Sequence, residues 1–130
     1  PIQRHGRRAA ACEFDGRFSL AFHRGRFLLF SRANPKRAGH RFVQVARSAD
    51  AQGLAWEPFQ MIRMAGYELE GDVYFWGAQT NPVHPESLLG LFPLFHRGHG
   101  CVAIASSWDG VRWSHATPLS HCRYVDPNLG

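Results

Sequence analysis

Two aspartates, Asp50 and Asp109, stand in matching sequence settings and carry carboxylates that could bind protons, cations or backbone amides. Segments 45–56 and 104–113 both read β-branched residue, Ala, x, Ser, x, Asp, then Gly, aliphatic, x, Trp, and they differ in length only by Ala51-Gln52. A turn aspartate accepts hydrogen bonds from backbone N–H groups two or three residues on, and glycine supplies a positive φ. The pattern therefore predicts that both aspartates close hairpin turns, each covered by a buried tryptophan.

Histidine and cysteine side chains could bind a metal or act as nucleophiles, but in this sequence they do not follow the spacing of a known metal-binding motif. Among eight histidines, His96 and His99 stand three apart, but the sequence sets no third and fourth donor beside them. The three cysteines form no C-x-x-C pair, and Cys101 and Cys122 are compatible with either a bridge or two buried thiols. A Gly-rich phosphate loop and a serine nucleophile elbow are also absent, so we expect no metal and no cofactor.

Glycine and proline interrupt the chain so often that long helices have almost no room. The chain contains 13 glycines and 8 prolines, and the longest stretch free of both is 40–52, where apolar residues alternate with the period of two typical of a strand. The predicted strands are 18–23, 27–32, 41–48 and 55–62 in a first unit, and 73–78, 88–95, 101–107 and 111–119 in a second.

Each unit of four antiparallel strands is a meander of the kind that forms a propeller blade, so the predicted fold class is all-β, a β-propeller. The two matching aspartates lie 59 residues apart, so a chain of 130 residues has room for about two such units. A closed propeller needs about four to eight blades. We therefore interpret 1–130 as one partial domain, with a first blade at 12–64, a second at 65–119 and the start of a third at 120–130. The remaining blades would belong to the same longer chain.

The Ser-x-Asp and Gly-x-x-Trp pattern resembles the Asp-box turns of sialidase-type propellers. The spacing of the units is similar to that of five-bladed glycoside hydrolases of the invertase and arabinanase kind. The resemblance implies a carbohydrate-active protein whose catalytic acids lie where the innermost strand of each blade begins. Those positions are Asp15 and Asp72, with a third at Asp126, whose Asp-Pro-Asn resembles part of an invertase motif. The complete motifs of that family, Arg-Asp-Pro and Glu-Cys among them, are absent.

Strand order supports the same positions independently. In a meander the first strand begins at the end where the second strand finishes, and the turn between the third and fourth strands lies at the opposite end. The residues predicted to share the first end are Asp15, Asp72, Arg32 and Asn34. Glycoside hydrolysis uses two carboxyl groups about 5 to 9.5 Å apart. Arg32 would then bind a sugar hydroxyl or carboxylate, and Trp76 would stack on a pyranose ring; the structural alternatives are a turn aspartate, a solvated arginine and a core tryptophan.

The charge and the apolar pattern of the sequence limit the classes of partner that we expect. The net charge of +5 comes mostly from arginine, but the aromatic residues alternate as core residues do, so we expect no nucleic-acid partner. No apolar run approaches the roughly 18 residues of a membrane span, so we expect no membrane partner either.

Two function classes stay open: a glycoside hydrolase-like enzyme, and a non-catalytic module that binds glycan or protein. Acids directed into a pocket favour the enzyme, and acids neutralised by arginine favour the module. The compartment is not readable from the sequence.

Overall fold

The computed structural model describes residues 17–34, 41–67, 72–96, 99–119 and 123–124, and within them the chain is all-β and contains no helix. Accordingly, this part of the chain offers no helix that could cross a bilayer. The strands in chain order are β1 Ser19–His23, β2 Arg26–Ala33, β3 Phe42–Arg47, β4 Gln60–Met61, β5 Arg63–Met64, β6 Asp72–Val73, β7 Gly77–Thr80, β8 Leu88–His96, β9 His99–Ser107, β10 Arg112–Trp113, β11 Thr117–Pro118 and β12 Arg123–Tyr124.

The first sheet has the order β1-β2-β3-β4 and is an antiparallel meander, as predicted. Its predicted fourth strand, 55–62, is much shorter and spans only Gln60–Met61. Its first hairpin turns through Arg24 and Gly25, whose φ angles are 50° and 75°. Two consecutive positive φ values in a two-residue loop match the right-handed twist of the flanking strands, which fixes the register at His23 opposite Arg26. The turn between the predicted strands 18–23 and 27–32 is therefore confirmed.

The second sheet has the order β5-β10-β9-β8-β6, with β7 paired to β8 and with β11 and β12 paired to β9. Its predicted last strand, 111–119, is divided in two because the pairing shifts by one residue, from Trp113 opposite Ser107 to Thr117 opposite Ile104. Within this bulge the Ser114 hydroxyl accepts the Ser106 N–H at 3.0 Å. The Ser114 side-chain oxygen thus takes the place of the backbone acceptor that the Ser106 N–H lacks at the bulge.

Segment 60–64 joins the two sheets, which the sequence did not predict. Its first half, β4, pairs antiparallel with β3, and its second half, β5, pairs in parallel with β10. Between them the Ile62 N–H donates to Val43 O at 3.1 Å, and the Arg63 N–H donates to Val111 O at 2.8 Å. Alternation of apolar residues identifies a strand but not its second neighbour, so this pairing had no sequence signal.

The core lies between the facing sides of the two sheets, and aromatic rings fill its centre. Trp76 stacks on Phe92 with ring centroids 4.4 Å apart, and it meets Trp113 edge-on at 4.7 Å. Phe30 of the first sheet contacts Trp113 edge-on at 5.9 Å. Gly90 lies beneath both indoles, where a Cβ would stand 2.9 Å from Trp113 Cζ3 and 2.7 Å from Trp76 Cε2.

We predict that Gly90→Ala lowers the free energy of unfolding by about 1 to 3 kcal/mol, because the added methyl group overpacks the two indoles. Urea denaturation followed by tryptophan fluorescence measures this loss. Gly25→Ala shows the cost of backbone strain alone, since nothing lies within 4 Å of its Cβ position but its φ is positive, whereas Gly90 has no positive φ. An unchanged midpoint for Gly90→Ala would show that the indoles do not pack as described.

Candidate functional site

The first strands of the two meanders lie side by side. The Ser19 hydroxyl of β1 accepts the Ala78 N–H at 2.8 Å and donates to Ala78 O at 3.3 Å, which ties β1 to β7. The sheets therefore share two ends. We call one the arginine end, formed by Arg17, Arg32, Asn34, Arg41 and Asp72, and the other the turn end, formed by the two Ser-x-Asp turns at 48–56 and 107–113.

Asp72 begins β6 at the arginine end, opposite the turn end, where strand order places it. Its Oδ1 accepts the Arg41 backbone N–H at 2.6 Å, and its Oδ2 lies 3.6 Å from Arg41 Nη1. The side chain is 18% exposed. Val73 N also donates to Arg41 O at 2.9 Å. Asp72 therefore attaches the start of β3 to β6 and has a positive charge beside it.

Arg32 and Asn34 lie at the end of β2 and contact each other. Arg32 Nε donates to Asn34 Oδ1 at 3.1 Å, and Gln44 Nε2 donates to Arg32 O at 2.9 Å. Arg32 is half-buried and Asn34 is exposed, so both are reachable from solvent at the arginine end. The two other predicted acids, Asp15 and Asp126, lie outside the described residues.

The prediction that Trp76 stacks on a sugar ring is wrong, because Trp76 is only 3% exposed and lies between Phe92 and Trp113 in the core. Among the residues that the structure describes, its buried Nε1 has no hydrogen-bond partner. A sugar cannot reach this ring in the structure, so the core alternative describes Trp76.

Exposed aromatic rings at the arginine end include Tyr74 and Phe75, which the sequence did not single out. Both are more than a third exposed. The Arg17 guanidinium lies 5.6 Å above the Phe75 ring, and that of Arg41 lies 4.9 Å above the Tyr74 ring. In the sequence, both residues belong to the aromatic run 74–76, which follows the candidate acid Asp72 closely. A run of three aromatic residues does not show which of them is buried.

At the turn end, both aspartates accept backbone hydrogen bonds within their own turns, which confirms that prediction. Asp50 accepts the N–H groups of Leu54 and Ala55, each at 3.0 Å. Asp109 Oδ1 accepts the N–H groups of Val111 at 2.8 Å and Arg112 at 2.7 Å. The two aspartates thus organise their turns.

The tryptophans of the two turns make the same hydrogen bond but differ in burial. Trp56 Nε1 donates to Gly53 O, and Trp113 Nε1 donates to Gly110 O, each at 3.0 Å. Both glycines have a positive φ. Trp113 is 3% exposed, as predicted, whereas Trp56 is 40% exposed and the expected burial is wrong for it. Trp113 lies between the two sheets, and none of the core rings packs over Trp56.

The carboxyl environments lower the pKa of both aspartates. For Asp50, the Leu54 N–H makes the largest contribution, and those of Ala55, Gly53 and Gln52 add to it against a smaller desolvation effect. For Asp109, desolvation alone would raise the pKa. The N–H groups of Arg112 and Val111, with the Ser107 hydroxyl and the Arg112 charge, together outweigh it and lower the pKa. Both turns are therefore stabilised by the ionised carboxylate.

Cys101 of β9 is disulfide-bonded, so it is not a free buried thiol. The two other cysteines, Cys12 and Cys122, lie outside the described residues. Within the described ranges, no group of three or more His, Cys, Asp or Glu side chains could hold a metal ion.

Comparison with known proteins gives a likeness in fold without one in sequence. No protein-family model matches the chain, and no curated protein matches it in sequence. A solved structure of an N-acetylgalactosamine deacetylase from F. plautii, in complex with blood group B trisaccharide, is similar with a TM-score of 0.58 and 14% identity. The match covers 76% of this chain but only 28% of that chain. The neighbour is thus an enzyme that acts on a glycan, and the likeness to it is one of fold.

We predict that Asp109→Asn lowers the free energy of unfolding by about 1 kcal/mol near pH 7, because an amide accepts backbone hydrogen bonds less well than a carboxylate. Asp109 has a lowered folded pKa, so its contribution is complete above the ordinary aspartate pKa of about 3.9 and is lost as pH falls through the lowered value.

Urea denaturation at a series of pH values between about 7 and 2 measures this contribution. The difference between the parent and Asp109→Asn should shrink as the pH falls. A constant difference over the whole range would contradict the role of the ionised carboxylate.

Proposed function

We propose that the chain comprises two neighbouring blades of a β-propeller, five-bladed in the full protein, and that it engages a carbohydrate at the arginine end. The observation that carries this proposal is the Ser19 to Ala78 contact, which sets the first strands of both meanders side by side with the Ser-x-Asp turns at the opposite end. The likeness in fold to a glycan-acting enzyme supports the carbohydrate ligand.

The outer faces of both sheets support further blades on either side. In β1, Ala21 and His23 are buried, while Leu20 and Phe22 on the opposite face are exposed. The second sheet exposes apolar side chains on its outer face as well, at Leu91, Val102 and Leu119. Soluble proteins rarely leave such contiguous apolar faces in water. In this proposal the remaining blades of the longer chain cover both faces.

We predict that Leu91→Lys reduces self-association of the isolated 130-residue chain but destabilises the full-length protein. The lysine charge keeps an uncovered face in water, yet in the full-length protein that face is buried by the next blade. Light scattering measures the first effect and thermal unfolding the second. Leu54→Lys is the matched control, because Leu54 is 85% exposed at the turn end. Equal stability of both variants in the full-length protein would argue against a covering blade.

The reaction proposed for this site is glycoside hydrolysis by Asp15, Asp72 and Asp126, with Arg32 and Asn34 as substrate-binding residues. Such catalysis needs one carboxyl group to deliver a proton and another to act as base or nucleophile. Arg41 engages both oxygens of Asp72, through its backbone N–H and its guanidinium. That ion pair favours the second candidate function, a propeller module that binds glycan without chemistry.

We predict that Asp15→Asn abolishes glycoside turnover by the full-length protein and leaves its thermal unfolding unchanged, because the amide keeps the shape but loses the ionisable proton. Turnover is measured on a panel of aryl glycosides. Asp50→Asn at the turn end is the control and should retain activity. Undiminished turnover in Asp15→Asn would eliminate that residue as a catalyst.

Asp72→Asn separates the two candidate functions. If Asp72 is a catalytic residue, the Asp72→Asn protein should lose turnover at unchanged stability. If Asp72 acts only as the partner of Arg41, the variant should lose stability and keep its affinity for glycan. Parallel measurement of thermal unfolding, turnover and glycan affinity in one preparation distinguishes these outcomes.

A further inference from the structure

We propose that Tyr74 and Phe75 form a stacking platform for the glycan engaged at the arginine end, and that this platform selects an oligosaccharide of at least two sugar units. The inference rests on the proposed glycan-binding function and specifies the size of the ligand and the rings that recognise it. The two rings take the role that the sequence predicted for Trp76, which lies in the core.

The segment 74–75 is anchored to the first sheet on both sides. On one side, the Val73 N–H donates to Arg41 O at 2.9 Å, next to the start of β3. On the other side, the Ser19 hydroxyl of β1 accepts the Ala78 N–H at 2.8 Å and donates to Ala78 O at 3.3 Å. Only a few residues separate these anchors, so the backbone that carries the two rings is held before a ligand arrives. Such preorganisation lowers the entropy cost of binding.

Each of the two aromatic residues is partly exposed and has a guanidinium group beside its ring. Tyr74 is 44% exposed, and the Arg41 guanidinium lies 4.9 Å from its ring centroid. Phe75 is 40% exposed, and the Arg17 guanidinium lies 5.6 Å from its ring centroid. A sugar presents C–H groups on its face and hydroxyl groups around its rim. An aromatic ring offers an apolar surface to the C–H face, and guanidinium N–H groups donate to hydroxyl oxygens. The combination that recognises a sugar therefore occurs twice at this end.

The two rings contact arginines of different strands in the first sheet. Arg41 immediately precedes β3, and Arg17 lies two residues before β1 begins. The sheet order places β2 between these two strands. Neighbouring strands are about 4.8 Å apart, so β1 and β3 are roughly 10 Å apart. A single sugar ring is narrower than this separation. A ligand that contacts both rings therefore needs at least two linked sugar units.

The platform also borders the candidate acid of this end. Asp72 precedes Tyr74 by two residues, and the Asp72 carboxylate and the Tyr74 ring contact the same arginine, Arg41. A sugar unit stacked on Tyr74 therefore lies beside Asp72. This placement serves an enzyme and a non-catalytic module equally, so the platform belongs to both candidate functions.

Titration calorimetry on the full-length protein tests the inference with three series of neutral saccharides. The series are built from β-linked glucose, galactose and N-acetylglucosamine, and each comprises the monosaccharide, the disaccharide and the trisaccharide. We expect that in at least one series the disaccharide binds roughly tenfold more tightly than the monosaccharide, which is the scale of one additional ring contact. This ratio is measured in the parent protein, so it tests the inference even where a variant fails to fold.

Tyr74→Leu and Phe75→Leu should each reduce the affinity for the disaccharide to about that for the monosaccharide, because each removes one ring. Tyr74→Phe and Phe75→Tyr keep an aromatic ring and should restore most of the affinity that the leucine variants lose. Thermal unfolding of every variant separates loss of stacking from loss of fold. Trp108→Ala is the matched control, because Trp108 is 58% exposed at the turn end, and it should leave every affinity unchanged.

Equal affinity for the monosaccharide and the disaccharide in every series that binds would overturn the inference while the glycan-binding function stands. Insensitivity of the disaccharide affinity to both leucine variants would have the same meaning. Failure of every saccharide to bind would overturn the proposed function itself. A single-stranded thymidine oligonucleotide that binds more tightly than every trisaccharide, with the same dependence on the two rings, would identify a nucleic-acid surface and also overturn the inference.

Discussion

The packing of Trp76 against Phe92 and Trp113 is the interaction on which the structure depends. These rings fill the space between the two sheets, and they fit only because Gly90 has no side chain beneath them. Burial of aromatic rings of this size contributes a large share of the hydrophobic stabilisation of a small β domain. Phe30 of the first sheet packs edge-on against Trp113, so the same cluster also joins the two sheets.

The two Ser-x-Asp turns show how one local chemistry acts in two tertiary settings. In both, an aspartate accepts backbone N–H groups and a tryptophan donates to the glycine carbonyl three residues earlier. Those bonds need only neighbouring residues, so they form in both turns. Burial of the tryptophan depends on what lies across from it, and only Trp113 faces the opposite sheet.

At the arginine end, a structural contact lies beside the residues of the proposed glycan site. Arg41 and Asp72 attach β3 to β6, and a carboxylate held in that way contributes to the fold through its charge. Arg17 and Arg32 are each positioned by a neighbouring group, Phe75 and Asn34 respectively. The proposed glycan site therefore uses arginines at the rim of a rigid contact between sheets.

The sequence by itself determined the all-β class, both meanders, the first hairpin and the hydrogen bonds of both aspartate turns. Each of these depends on alternation, glycine and proline positions, or contacts within a few residues. Only the tertiary structure decided that Trp76 is a core residue, that Trp56 is exposed, that Asp72 pairs with Arg41, and that segment 60–64 joins the sheets in part through a parallel pair. These features depend on residues distant in the chain, and a local pattern shows that a side chain lies in a strand without showing what faces it.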